Sequence, residues 1–129
     1  RLGETRDSIG VVADQVGNPT SALDIADGLL KVADNLLTSD DAALRGTFHM
    51  TGRGETSWAG FAAEIFRLSA VLGGKPVTVD PIPTSAYPTP AKRPGNSRLD
   101  CGKLERLHGV RLPDWQGSTE LVVRRLVAD

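Results

Sequence analysis

Apolar residues recur at two periods along this chain, and the switches between them outline the expected elements. Ser8-Ile9-Gly10-Val11-Val12-Ala13 has the β-branched content and length of a buried strand, and a polar, turn-rich loop over residues 14–20 follows it. Ser21 reads as a helix cap, with Asp24 three residues on in a capping-box arrangement where Asp replaces the usual Glu or Gln. Ile25, Leu29, Val32, Ala33 and Leu36 repeat at helical spacing and predict one buried stripe on a helix ending near Leu37. Gly28 inside that helix costs about 1 kcal/mol relative to Ala, which points to close packing against a neighbour.

Residues 38–45 form a polar connection, and Thr47-Phe48-His49-Met50-Thr51 reads as a short strand before the turn Gly52-Arg53-Gly54. Thr56 or Ser57 caps the strongest helix, in which Trp58, Phe61, Ala62, Ile65, Leu68 and Leu72 keep an i, i+3, i+4, i+7 rhythm until Gly73-Gly74. Val77-Thr78-Val79 is β-like. From Pro81 to Pro94, five of the eight prolines crowd into one stretch, where their density predicts a stiff extended loop without regular structure. Asp100 is placed to cap a helix over residues 101–107 that stops at Gly109, and Pro113-Asp114-Trp115-Gln116-Gly117 reads as a turn. Ser118 or Thr119 then starts a last helix carrying Leu121, Val122, Leu126 and Val127. The sum is four or five helices mixed with three short strands, an α/β chain without repeats.

The 129 residues suffice for one domain, residues 1–129, and 40% hydrophobic with 24% charged residues excludes global disorder. Residues 1–7 read as the tail of a charged helix, and a start at Arg1 without an initiator Met suggests a piece of something larger. With 15 basic and 16 acidic residues the charges nearly cancel, which argues against a nucleic-acid or membrane-surface partner. One region departs from that balance. Lys92, Arg93, Arg98, Lys103, Arg106 and Arg111 face only Asp100 and Glu105 between positions 92 and 111. Cys101 is the only cysteine, so neither an intrachain disulfide nor a thiolate metal cluster can form, which fits a reducing cytoplasm. No apolar run approaches the roughly 18 residues of a membrane span, and the start lacks the apolar core of a signal peptide.

The segment Lys92-Arg93-Pro94-Gly95-Asn96-Ser97-Arg98-Leu99-Asp100 carries the clearest binding chemistry. Three cations, two neutral hydrogen-bonding side chains and a turn held by Pro94 and Gly95 beside a helix start suit an anion such as a diphosphate. Asp100 at the cap would compete with that anion for the free N–H groups. Other constellations fail on detail. Gly52-Arg53-Gly54, with Asp80 after the next strand, has the outline of a dinucleotide loop, but Ser57 stands where the third glycine belongs. Tyr87 and Lys92 lie five apart, and Pro88 and Pro90 deny them a shared helix face, so Tyr87 is read as a loop residue. His49 and His108 have no partners at metal-ligand spacing, and no Gly-x-Ser-x-Gly elbow supplies a serine nucleophile. No catalytic, cofactor-binding or metal-binding residue is assigned within the chain.

Taken together, Val11-Val12-Ala13-Asp14-Gln15-Val16-Gly17-Asn18-Pro19-Thr20, Gly46-Thr47-Phe48-His49-Met50-Thr51-Gly52, the run from Trp58 to Ile65 and Arg93-Pro94-Gly95-Asn96-Ser97-Arg98-Leu99-Asp100 resemble the dTDP-4-dehydrorhamnose reductase family. This is a branch of the extended short-chain dehydrogenase/reductases, and the likeness covers essentially the whole chain. It implies the C-terminal substrate-binding region, without the Rossmann half that carries the glycine-rich loop and the Tyr-x-x-x-Lys pair. Neither motif occurs here. The implied activity is NADPH-dependent (or NADH-dependent) reduction of the C4 ketone of dTDP-4-dehydro-L-rhamnose to dTDP-L-rhamnose, with the cofactor held by that other half and this chain inactive alone. The implied partner is a dTDP-sugar, with room for a homodimer and a cytoplasmic setting. Arg93 is implied as the diphosphate contact, Asn96 as a ribose or base contact, Ser97 as a further substrate-binding residue, and Gln15, Pro19 and Thr20 as the sugar-facing loop. A second phosphate-binding arginine that related epimerases carry at the loop matching Gly17 is missing. A non-catalytic nucleotide-sugar-binding or regulatory homologue is the alternative that the resemblance leaves open.

Overall fold

The computed structural model describes residues 5–128, so the helical tail expected at residues 1–7 lies for the most part outside the described residues. In chain order the elements are β1 (Ser8–Val12), β2 (Val16–Gly17), α1 (Ala22–Thr38), a 3-10 turn (Ala42–Leu44), β3 (Thr56–Ser57), α2 (Trp58–Val71), β4 (Thr78–Ile82), a second 3-10 turn (Thr84–Ala86), α3 (Gly102–His108) and α4 (Trp115–Ala128). The strands form two two-stranded sheets. β1 pairs in parallel with β4, from Ser8 opposite Thr78 to Val12 opposite Ile82, and α2 covers both strands.

β4 runs through Pro81 and Ile82, where the proline density predicts a loop. The register explains it. The Ile82 carbonyl accepts from Ala13 N and Thr78 N donates to the Asp7 carbonyl, both at 2.9 Å, so positions 78, 80 and 82 present their backbone to β1. Pro81 falls between them, and its missing N–H faces the open edge, where a ladder loses nothing.

Two further expectations are corrected. Residues 47–51 are not a strand: Phe48 and Met50 turn inward and His49 outward, so the alternation is real, but no ladder partner exists among the described residues. The last helix starts at Trp115, ahead of Ser118 and Thr119. Ser118 N bonds the Asp114 carbonyl at 3.2 Å, and both hydroxyls are buried: Ser118 Oγ donates to the Asp24 carboxylate and Thr119 Oγ1 to the Trp115 carbonyl at 2.6 Å. Asp24, engaged by Ser118, does not close a capping box. Ser21 still caps α1 by accepting from Leu23 N at 3.2 Å.

Leu104, Val110 and Leu112 form a small buried core, against which Ile25, Val32, Phe48 and Met50 pack. α1 meets it along Ile25, Gly28 and Val32. A side chain at Gly28 would stand 2.9 Å from Met50 Sδ and 3.2 Å from Leu112 Cδ2, which accounts for a glycine within the helix. Leu29 and Ala33, expected on this stripe, are exposed, as are Leu23, Leu30 and Leu37. With so many leucines on α1 the sequence offers more than one apolar stripe, and the close approach at Gly28 decides which is buried. His108 is buried beside the same core: Asn35 Nδ2 donates to its Nδ1 at 3.3 Å, its Nε2 donates to the Leu44 carbonyl at 3.1 Å, and its ring meets Phe48 edge-on at 4.7 Å. Phe61 of α2 and Trp115 of α4 likewise meet edge-on at 5.9 Å.

Candidate functional site

Three short segments converge where the loop after β1 meets the basic stretch. β2 pairs antiparallel with β3, and on its other side Val16 bridges Asn96. Val16 N donates to the Gly95 carbonyl and Ser97 N to the Val16 carbonyl, both at 2.9 Å. Gly17 makes room for this approach, since a Cβ there would lie 2.7 Å from Ser97 Oγ.

A cavity of about 370 Å³ opens at this junction. Gln15, Pro19, Thr20 and Ser97 line it together with Trp58 and Thr56. Its walls are tied down. Asn18 spends both ends of its amide, donating to the Gly54 carbonyl at 2.7 Å and accepting from Leu99 N at 2.9 Å. Thr20 Oγ1 donates to the Asn18 carbonyl at 2.8 Å and accepts from Gly52 N at 3.0 Å. The glycine turn that resembles a dinucleotide loop therefore serves as a brace for the loop after β1.

Gln15 is held from behind by Thr84 of the second 3-10 turn. Asp14 accepts from Thr84 N at 2.9 and 3.0 Å and from the Thr84 hydroxyl, and these bonds hold its carboxyl below the usual range. Because that hydroxyl donates to Asp14, it can only accept from Gln15, which it does from Nε2 at 3.0 Å. The chain of donors thus fixes which way the Gln15 amide points, leaving Oε1 and one N–H unspent.

The basic segment divides in two. Arg98 is engaged internally: it bonds both Glu55 oxygens at 2.8 and 2.9 Å and donates from Nε to Asn96 Oδ1 at 2.9 Å. The start of α3 is occupied as well, Asp100 Oδ1 accepting from Gly102 N at 2.7 Å, so the helix N–H expected to help hold an anion already has a carboxylate. Lys92 and Arg93 are exposed and make no hydrogen bond or ion pair among the described residues. Arg93 and Asn96 do not line the cavity. Ser97 is only four positions after Arg93, however, so their backbones lie within about 14 Å of each other.

Sequence reasoning missed Trp58, Thr84 and Asn18. Trp58 fits the helical rhythm of α2 and reads as core, yet as the first residue of the helix it is 58% exposed while Ala59 is buried. Ser57 is the cap, accepting from Gly60 N at 3.1 Å. Among the described residues no group of three or more His, Cys, Asp or Glu side chains is placed to hold a metal ion, and no helix is long and apolar enough to cross a membrane.

The sequence matches the family model of the RmlD substrate binding domain over residues 1–128. A dTDP-4-dehydrorhamnose reductase of Sinorhizobium fredii is 48% identical over all of this chain and 44% of its own length. One of Burkholderia thailandensis is 43% identical over 99% of this chain and 45% of its own. Among solved structures, a dTDP-4-dehydrorhamnose reductase of Clostridium acetobutylicum superposes with a TM-score of 0.84 at 42% identity, over 97% of this chain and 41% of that one. One of Bacillus anthracis, solved in complex with NADP, superposes with a TM-score of 0.79 at 32% identity, over the same shares. The chain thus spans less than half the length of the relatives it matches.

Proposed function

The chain belongs to the RmlD substrate binding domain family, and on that premise we propose that it is the C-terminal, nucleotide-sugar-binding region of a reductase that converts dTDP-4-dehydro-L-rhamnose to dTDP-L-rhamnose with NADPH. The observation that carries this is the cavity at β2 and β3 with the uncommitted cations Lys92 and Arg93 a few residues from its Ser97 wall. A nucleoside diphosphate sugar needs both: a concave, mostly apolar surface with a few placed polar groups for its neutral part and cations for its phosphates.

Arg93 takes the diphosphate in this reading, because a guanidinium free of internal carboxylates keeps its full donor set for a ligand. Ser97 and Gln15 offer hydroxyl and amide groups, and Pro19 and Thr20 shape the wall between them. Asn96 contributes its Nδ2 alone, since Oδ1 is taken by Arg98. C4 reduction requires a hydride on the carbonyl carbon and a proton on the oxygen. This chain has no glycine-rich dinucleotide loop and no Tyr-x-x-x-Lys pair, so both are assigned to residues outside these 129. NADPH chemistry suits a cytoplasmic setting, and a homodimer would have the exposed leucines of α1 as its available apolar surface.

The test is NADPH oxidation in the presence of dTDP-4-dehydro-L-rhamnose, alongside equilibrium binding of dTDP. The chain alone is expected to bind dTDP and to oxidise no NADPH above background. Turnover by the chain alone would overturn the division of labour, and failure to bind dTDP would overturn the substrate assignment.

A further inference from the structure

We propose that the cavity at β2 and β3 is the nucleobase pocket of the nucleotide sugar, with Trp58 as its stacking face and Gln15 as its reading edge. This rests on the function proposed above, replaces the sugar-facing role that the resemblance implies for Gln15, Pro19 and Thr20 with a base-facing one, and adds how a base is chosen. At about 370 Å³ the cavity is at the small end for ligand sites, so it takes one part of the nucleotide sugar. The reacting carbonyl has to meet a hydride donor and a proton donor that these residues do not supply. The part enclosed by this chain's own side chains is therefore the end that does not react.

Trp58 supplies the face. It is 58% exposed at the cavity, and it makes no ring contact and no hydrogen bond through its indole N–H among the described residues. An aromatic plane in a mostly apolar cavity with a few polar groups, a few residues along the chain from the uncommitted Lys92 and Arg93, suits a base that stacks while its phosphates reach toward those cations. Phe61 and Pro19 add apolar surface to the same cavity.

Gln15 supplies the edge. The Asp14 carboxylate accepts from the Thr84 hydroxyl, which in turn accepts from Gln15 Nε2 at 3.0 Å, so the amide cannot flip without losing that bond. Its unspent Oε1 accepts and its unspent N–H donates, which matches the N3–H and adjacent carbonyl of a thymine or uracil imide. Cytosine presents an acceptor at N3 and a donor beside it, the reverse pattern, and reading it would require the amide to turn over. Thr84 is thus a positioning residue for base choice.

Fluorescence titration of the chain tests this, because Trp58 and Trp115 are its only tryptophans and Trp115 is only 7% exposed. The ligands are dTDP, dCDP, inorganic pyrophosphate and dTDP-L-rhamnose. dTDP is expected to quench the emission and pyrophosphate to leave it unchanged. Trp58→Leu is expected to weaken dTDP about 5- to 100-fold with pyrophosphate affinity unaltered, and Trp58→Phe to recover most of the loss. Thr84→Val is expected to narrow the preference for dTDP over dCDP, which a loss of folding alone would not do; circular dichroism of each variant reports folding. If Trp58→Leu leaves dTDP affinity unchanged while Arg93→Ala lowers it, the base assignment fails and the substrate assignment stands. If Trp58→Leu weakens dTDP-L-rhamnose but not dTDP, the indole faces the hexose and the proposal is overturned. If dTDP does not bind at all, the functional reading fails and the base pocket with it.

Discussion

Gly52→Ala is expected to damage both stability and ligand binding, and the structure fixes the size of the effect. Gly52 is buried, and a Cβ there would stand 2.5 Å from the backbone carbonyl of Pro19, where ordinary contact begins near 3.4 Å. A carbonyl cannot rotate aside as a side-chain tip does, so the Pro19–Thr20 loop has to retreat by roughly 1 Å. Overpacking of this kind costs about 1–3 kcal/mol. The same shift stretches the bond from Gly52 N to Thr20 Oγ1, now 3.0 Å, which adds about 1 kcal/mol if it is lost. Gly117→Ala is the matched control. It lies in the first turn of α4 with no atom within 4 Å of its would-be Cβ, so the helix preference of Ala is expected to stabilise it by up to about 1 kcal/mol. Urea unfolding gives the two signs, and a dTDP titration reads the loop. A Gly52→Ala protein as stable as wild type with unchanged dTDP affinity would refute the packing argument and the place of Pro19 and Thr20 in the wall.

Other changes separate scaffold from site. Hydrogen bonds from Thr84 hold the Asp14 carboxyl below its usual pKa, so its contribution is complete above about pH 4 and is lost as pH falls through the depressed folded value. Asp14→Asn should flatten that acid limb in urea midpoints measured against pH, and an unchanged limb would contradict the Thr84 clamp. His108→Leu should cost about 1–3 kcal/mol in urea unfolding by leaving the part-buried Leu44 carbonyl without its donor, whereas the exposed His49→Leu should stay within about 0.5 kcal/mol. Equal effects of the two changes would contradict the assigned role of His108.

Much of the scaffold was legible because it rests on local chemistry. Ser21 and Ser57 cap their helices, and Gly109, with φ of 66°, ends α3 in the left-handed region that favours glycine. Tertiary choices were not legible. Nothing near Pro81 says that β1, some seventy residues upstream, would pair with it, and the leucines of α1 do not say which face Met50 will meet. The site was half legible. The resemblance marked Gln15, Pro19, Thr20 and Ser97, and the structure gathers them around one cavity, while Arg93 and Asn96 lie outside its lining. Charge counting overstated the basic segment, because Glu55 and Asp100 neutralise in space what the sequence presents as free cation and free helix start. Trp58 was hidden by its own periodicity: at the first position of a helix, a residue can keep the rhythm and still point away from the core.

The central claim is that this chain grips a nucleoside diphosphate sugar through Arg93 together with the cavity. Calorimetric titration of dTDP-L-rhamnose into wild type and Arg93→Ala, at low and high salt, tests it most directly. The account predicts a single site whose affinity falls at least about tenfold in Arg93→Ala, with a shallower salt dependence in the variant because one charge contact is gone. Equal affinity and equal salt dependence in the two proteins would contradict it.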